Sequence, residues 1–361
     1  MHTALRFSLF ASALFAASAA SASSDKSFKD WYAACDNLRN CSAYGFDPAT
    51  NSGYVRVERS GAADAPVRIT ISVDLADAAD YTVAFDPALP GLPDRALTGE
   101  EGEGNDYRRT LLAEGPAAKA LIESLRKAQA IVVTRRAAQG KNLDTPVSKI
   151  SMSGAVAALL WIDDQQKRVD TVTAMIKLGS KPSSAIPPQP KAPVIVAAKP
   201  TKDKAAAKTP AGLIAKGRAL CGESDPKSKL EDSYALGGGV VLYEFSCPDN
   251  SGAYNFQSVY MMGPAGNVQA VKPVSFKWPI KIGDQQNGDG DNNGLINAVF
   301  DPEKMTLTSF NKGRGIGDCG SEEEWVYDGK TFRLAQIRFM SECNGVPLDD
   351  WPVIFRTDVK R

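Results

Sequence analysis

The chain of 361 residues has one histidine, His2, inside a leader-like start, and none after it. That absence excludes Ser-His-Asp and Cys-His catalysis, zinc sites with imidazole ligands, and the usual general base near neutral pH. Any chemistry has to rest on carboxylates, Lys, Tyr or a metal held by oxygens. A C-x-x-C motif is missing as well, which leaves no signature of dithiol redox catalysis. Beyond the leader, no apolar run approaches the ~20 residues of a membrane-spanning helix, so no membrane span is expected. Charge of a single sign is also lacking, with 42 basic and 42 acidic residues. A net charge near zero gives no long-range field for nucleic acid.

What is present begins with residues 1–22, which read as a signal peptide. Arg6 supplies the positive start, Phe7 to Ala20 the apolar and small-residue run, and Ala20-Ser21-Ala22 an A-x-A cleavage site. The expected location is periplasmic or secreted. Six cysteines follow, Cys35, Cys41, Cys221, Cys247, Cys319 and Cys343, and an even count in an exported chain points to disulfides. A linker separates them two and four, which makes Cys35–Cys41 the natural first pair. The other four allow three pairings. The sequential one is favoured, each bridge closing a loop of about 25 residues and contributing roughly 3.5 kcal/mol in the chain-entropy model.

That linker is residues 181–212, with seven prolines, eight alanines and six lysines. Such composition buries too little apolar surface to offset its ordering entropy, so a solvated, semi-stiff tether is expected. It divides the chain into an N-terminal β-rich module, 27–180, and a C-terminal one, 213–361. In the first, Gly53 to Glu58, Val67 to Val73, Tyr81 to Phe85, Ala130 to Thr134 and Val169 to Leu178 read as strands. Helices are expected over Ala117 to Gln129 and from an N-cap at Ser153 through Ile162. In the second, Val240 to Phe245, Tyr254 to Met261, Leu295 to Phe300, Met305 to Phe310, Glu324 to Tyr327, Phe332 to Met340 and Val353 to Thr357 read as strands, after one short helix at Leu213 to Ala219. The expected fold class is mainly β: an α+β N-terminal module with two helices, and an all-β C-terminal module. Each is a small disulfide-stapled domain.

Four constellations invite chemistry. Asp289, Asp291, Asn293 and Gly294 match positions 1, 3, 5 and 6 of a calcium loop, and weak calcium binding is the one cofactor suggested. Phe300 stands where the bidentate Glu is needed, which favours an acidic turn. Lys312-Gly313-Arg314-Gly315-Ile316-Gly317-Asp318 is a glycine-rich basic loop, and Lys312 with Arg314 is the anion-binding candidate. A disulfide-anchored turn, with Asp318 accepting local amides, is the plainer reading. Asp163, Asp164, Gln165 and Arg168 gather at a helix end, where a solvated last turn is expected rather than a catalytic pair. Tyr32, Tyr44, Trp161, Trp278, Trp325 and Trp351 fit a core better than a sugar-stacking face. No catalytic residue emerges.

Several of these segments carry a resemblance. They are Phe28-Lys29-Asp30-Trp31 with Cys35-Asp36-Asn37 and Cys41, then Ser153-Gly154-Ala155 through Leu159-Leu160. Asp163-Asp164-Gln165, Arg168, Thr171 and Thr173-Ala174 continue it, as do Gly252-Ala253-Tyr254-Asn255 and Lys312 through Gly320. Together they resemble a family of exported proteobacterial proteins catalogued as a domain of unknown function. The first module is also distantly similar to the invasion-associated locus B proteins, which are exported and β-rich. The resemblance implies location and architecture and supplies no catalytic residue. The expectation is an exported envelope protein, a non-enzymatic binding module for an envelope or extracellular partner. The alternative is a carboxylate-based hydrolase acting on envelope glycan.

Overall fold

The computed structural model describes residues 24–74, 81–92, 100–101, 107–135, 145–203, 212–222, 229–280 and 293–361. Among the described residues the chain is mainly β, with three α-helices. The N-terminal elements are β1 (Asp25–Phe28), β2 (Trp31–Cys35), β3 (Cys41–Phe46), β4 (Gly53–Arg59), β5 (Arg68–Asp74), β6 (Tyr81–Asp86), β7 (Glu100–Glu101) and β8 (Tyr107–Glu114). They continue with α1 (Pro116–Leu125), β9 (Ala130–Arg135), β10 (Thr145–Ser151), α2 (Ala155–Gln165) and β11 (Val194–Val196). A seven-stranded antiparallel sheet runs β1-β2-β3-β4-β5-β8-β7, and a three-stranded one runs β10-β9-β6. Alternation on β4 and β5 sends Val55, Val57, Ile69, Ile71 and Val73 into a core with Leu121 and Leu125 of α1 and Leu159 and Ile162 of α2. Each such side chain contributes about 1.5–3 kcal/mol by leaving water. The cap of α2 is Gly154 rather than Ser153. Its φ of 107° is left-handed, and a Cβ there would overlap the Phe28 carbonyl.

Strands β2 and β3 are buried on both faces. Trp31, Ala33, Cys35, Cys41 and Ala43 face the helices, while Tyr32, Ala34, Tyr44 and Phe46 face the C-terminal half. That half comprises α3 (Leu213–Cys221), β12 (Lys229–Gly237), β13 (Val240–Ser246), β14 (Gln257–Pro264), β15 (Lys272–Pro273), β16 (Gly294–Ile296), β17 (Val299–Asp301), β18 (Thr306–Lys312), β19 (Gly320–Tyr327), β20 (Phe332–Met340), β21 (Val353–Arg356) and β22 (Asp358–Lys360). One sheet runs β12-β13-β14-β15 with β16 also on β14, and the other is the meander β17 to β21. Aromatic edges lock them: Phe276 meets Tyr260 at 5.8 Å and Trp325 at 5.1 Å between ring centroids. The disulfides are Cys35–Cys41, Cys221–Cys247 and Cys319–Cys343, the sequential pairing. No helix among the described residues is long and apolar enough to cross a membrane.

The two halves share one core. Tyr32, Tyr44, Phe46 and Tyr54 of the first sheet belong to the same buried cluster as Leu307, Trp325, Ile337 and Trp351. The described part of the segment expected to be a tether is packed. β11 pairs in parallel with β22, Ile195 is 2% exposed, and it lies against Val326 and Ala335. Proline does not prevent this, because its carbonyl still accepts: Asp358 N donates to Pro193 O at 2.8 Å. Gln189 and Pro187 are likewise held, by Asn40 and Arg39. Val169 to Leu178 is not a strand. Its amides are taken elsewhere, Met175 and Ile176 N donating to the Asp163 carboxylate at 2.8 and 2.9 Å.

Candidate functional site

Alternation on β3, β4, β5 and β8 that buries one set of side chains against the helices puts another on the opposite face. Register partners Ser42, Glu58, Arg68 and Glu114 form one row across these four strands, with Tyr44, Arg56 and Thr70 in the next. The segment before β21 and β21 itself roof part of this face with Trp351, Pro352, Val353 and Arg356. Between floor and roof lies a cleft of about 400 Å³, also lined by Asn40, Cys41, Arg59, Ser60 and Pro66. Clefts at the junction of two structural units are common ligand sites.

The roof is fixed by polar anchors. Asp350, 2% exposed, accepts from Arg56 Nη1 at 2.9 Å and from the Tyr54 hydroxyl, and its carbonyl accepts from Tyr44 OH at 2.6 Å. Burial pushes the Tyr44 hydroxyl well above its ordinary pKa, so it stays a donor. Burial works against the Arg56 charge, but the neighbouring Asp350 and Glu58 carboxylates favour it, and its pKa is raised. Arg56 Nε also sits 2.6 Å from Glu58. At the other end, the Asn37 amide donates to Arg356 O at 3.0 Å and accepts from Arg356 N at 2.9 Å, as a neighbouring strand would. Arg356 Nε pairs with Asp36 at 2.6 Å.

Beneath the cleft lies the polar group that ends α2. Asp163 and Arg168 are buried, with Gln166 beside them, which corrects the expectation of a solvated last turn for those two, while Asp164 is exposed and Gln165 half-buried. Arg59 donates to Asp163 at 2.7 Å, to Gln166 Oε1 at 2.6 Å and to Thr173 O at 2.8 Å. Arg168 donates to Ala63 O at 2.8 Å and to Gln166 Oε1 at 3.1 Å. Burial, with the neighbouring Arg59 charge, lowers the Arg168 guanidinium to about 10. Every fork is occupied, so this group positions Arg59 and the loop at 60–66 rather than meeting a ligand.

The other candidates fall elsewhere. Arg314 is committed to Asp318, with Nε donating at 2.6 Å, and Asp318 also accepts from Gly345 N at 2.7 Å. Lys312 Nζ lies over the Phe310 ring at 5.4 Å. The glycine loop therefore closes on itself as a disulfide-anchored turn. Asp289 and Asp291 lie outside the described residues. Asn293 is described, and its carbonyl accepts from Tyr260 N at 3.2 Å. Among the described residues no three acidic, Cys or His side chains gather around a metal-sized point. Apart from Cys41, read as a disulfide partner, and Tyr44 and Trp351, read as core aromatics, the sequence does not single out the cleft residues. The signal lay in β4 and β5, where Arg56, Glu58, Arg68 and Thr70 alternate with the apolar set. Nothing local in 350–356 marks it as the roof.

These features define a β-rich protein of two disulfide-stapled halves with a polar cleft at their junction. The chain belongs to the family described as "Protein of unknown function (DUF1176)", which matches residues 25–358. It is similar to the "Uncharacterized protein YpfG" of Escherichia coli (strain K12), at 30% identity over 346 residues, 93% of this chain and 94% of that protein. Among solved structures it is similar to invasion associated protein B from Bartonella henselae, at 12% identity with a TM-score of 0.29, over 40% of this chain and 98% of the other.

Proposed function

We propose that this is an exported envelope protein that binds its ligand in the junction cleft without transforming it. The observation that carries the reading is the cleft itself, whose floor and roof come from opposite ends of the chain and are held by the buried Asp350 anchor. The leader-like residues 1–22 and the three disulfides support export. A hydrolase of envelope glycan needs a carboxylic acid kept protonated beside a second carboxylate at the scissile bond. Among the described residues the carboxyls pushed upward by burial are Glu244 and Glu323, and neither lines the cleft. The lining carboxylates are Glu58, tied to Arg56, and Glu114.

The test uses purified mature protein and insoluble peptidoglycan. Co-sedimentation without release of soluble fragments is expected, and release of fragments overturns binding without chemistry. Fractionation is expected to find a form about 22 residues shorter outside the cytoplasm, as the A-x-A site implies. A full-length cytoplasmic form overturns export.

A further inference from the structure

Four arginines line the cleft, which at first sight suits an anion. Their pairing decides otherwise. Arg59 is neutralised by Asp163, Arg356 by Asp36, and Arg56 stands between Glu58 and Asp350. A surplus of positive charge is therefore absent from the pairs. What remains are two poles on the floor. Arg68 and Glu114 are register partners on β5 and β8, both exposed, and neither side chain makes a hydrogen bond or ion pair among the described residues. Directly opposed residues hold their Cβ atoms about 4.5–5.5 Å apart, near enough for one small ligand to span both. On the roof, the Arg356 side chain is 39% exposed and pairs with Asp36 through Nε. It lines the cleft together with Arg68.

Resting on the binding reading above, we infer that the ligand is a zwitterionic peptide segment. Its carboxylate is held by Arg68 and Arg356, its ammonium by Glu114, and its aliphatic part lies against Pro66, Pro352 and Val353. Arginine suits the carboxylate because its planar fork matches the two oxygens. Glu58 and Glu114, flanking Arg68 in the same row, disfavour a ligand carrying only negative charge and reward one that also brings an ammonium. The stem peptides of peptidoglycan carry both groups on short aliphatic chains.

The experiment measures binding of soluble muropeptides to the purified mature protein by calorimetry. Three preparations are compared: untreated, N-acetylated to remove the ammonium groups, and amidated to remove the carboxylates. Each modification is expected to weaken binding by about tenfold or more, the effect of losing one charged hydrogen bond. Glu114→Gln is expected to bind untreated and acetylated muropeptides alike, and Arg68→Gln to narrow the gap between untreated and amidated ones without closing it, since Arg356 remains. Both positions are exposed, so both variants should melt within a degree or two of the parent. Equal binding of all three preparations, still weakened by Arg68→Gln, overturns the zwitterion while leaving the cleft as the binding site. Absence of binding, or binding indifferent to both variants, overturns the cleft reading too.

Discussion

Asp163 illustrates how much one side chain can organise. Its carboxylate accepts from Arg59 and from the amides of Met175 and Ile176, with no exposure to solvent. Removing one partner of a buried pair strands the other, at a cost of about 3–5 kcal/mol. Asp163→Ala is expected to lose that much in urea unfolding, and Asp163→Asn less, because its amide oxygen still accepts. A loss below about 1 kcal/mol for Asp163→Ala would return this helix end to a solvated turn. Glu323 offers the opposite case. It is buried on β19 with Trp325 Nε1 donating at 2.9 Å, and burial raises its pKa. Between the unfolded value of about 4.3 and the higher folded one, the native state binds more protons than the unfolded state. Stability from this group therefore falls as pH rises through that window. Glu323→Gln is expected to raise the melting temperature at pH 8 and to lose that advantage toward pH 4, which a pH series of thermal melts would show. Asp47 acts the other way. Burial opposes its charge, but hydrogen bonds from Thr50, Lys149 N, Ala49 N and Ser148 hold its pKa below the ordinary value. Its contribution is present above about pH 3.9 and disappears as pH falls through the lowered folded value.

Among the elements, β11 separates composition from context. Three residues pairing with β22 convert a proline-rich, lysine-rich segment into part of a sheet. Ile195→Ala is expected to cost about 2–4 kcal/mol, as for a core aliphatic residue. In a solvated tether the same change would be nearly silent, so the urea midpoint tells the two apart. The elements legible in the sequence were those with one wet face. β4, β5 and β20 alternate between polar and apolar residues, and their limits were read to within a residue or two. β2 and β3 escaped because both faces are buried, so Trp31-Tyr32-Ala33-Ala34-Cys35 shows no period. β12 escaped for the opposite reason, since Lys229, Glu231 and Asp232 are wet. Val169 to Leu178 has strand composition without a strand, because a helix-end carboxylate claimed two of its amides. The cleft floor was half legible, as the wet face of β4 and β5. Its roof was not, since only the fold brings Asp350 and Arg356 to it.

At the scale of the molecule, the shared core implies joint unfolding. The first sheet gives one face to its own helices and part of the other to the C-terminal half, so melting either half exposes apolar surface on its neighbour. Calorimetry is expected to show a single transition whose calorimetric and van't Hoff enthalpies agree. Two resolved transitions would establish independent halves. The same arrangement sets a problem in time. Tyr44 and its partner Asp350 are 306 residues apart, and chains grow at about 5–20 residues per second. The aromatic face of Tyr32, Tyr44, Phe46 and Tyr54 therefore waits roughly 15–60 s after its own synthesis for its cover to be made. Throughout that interval it offers the cell's chaperones a sticky surface that the finished protein never shows.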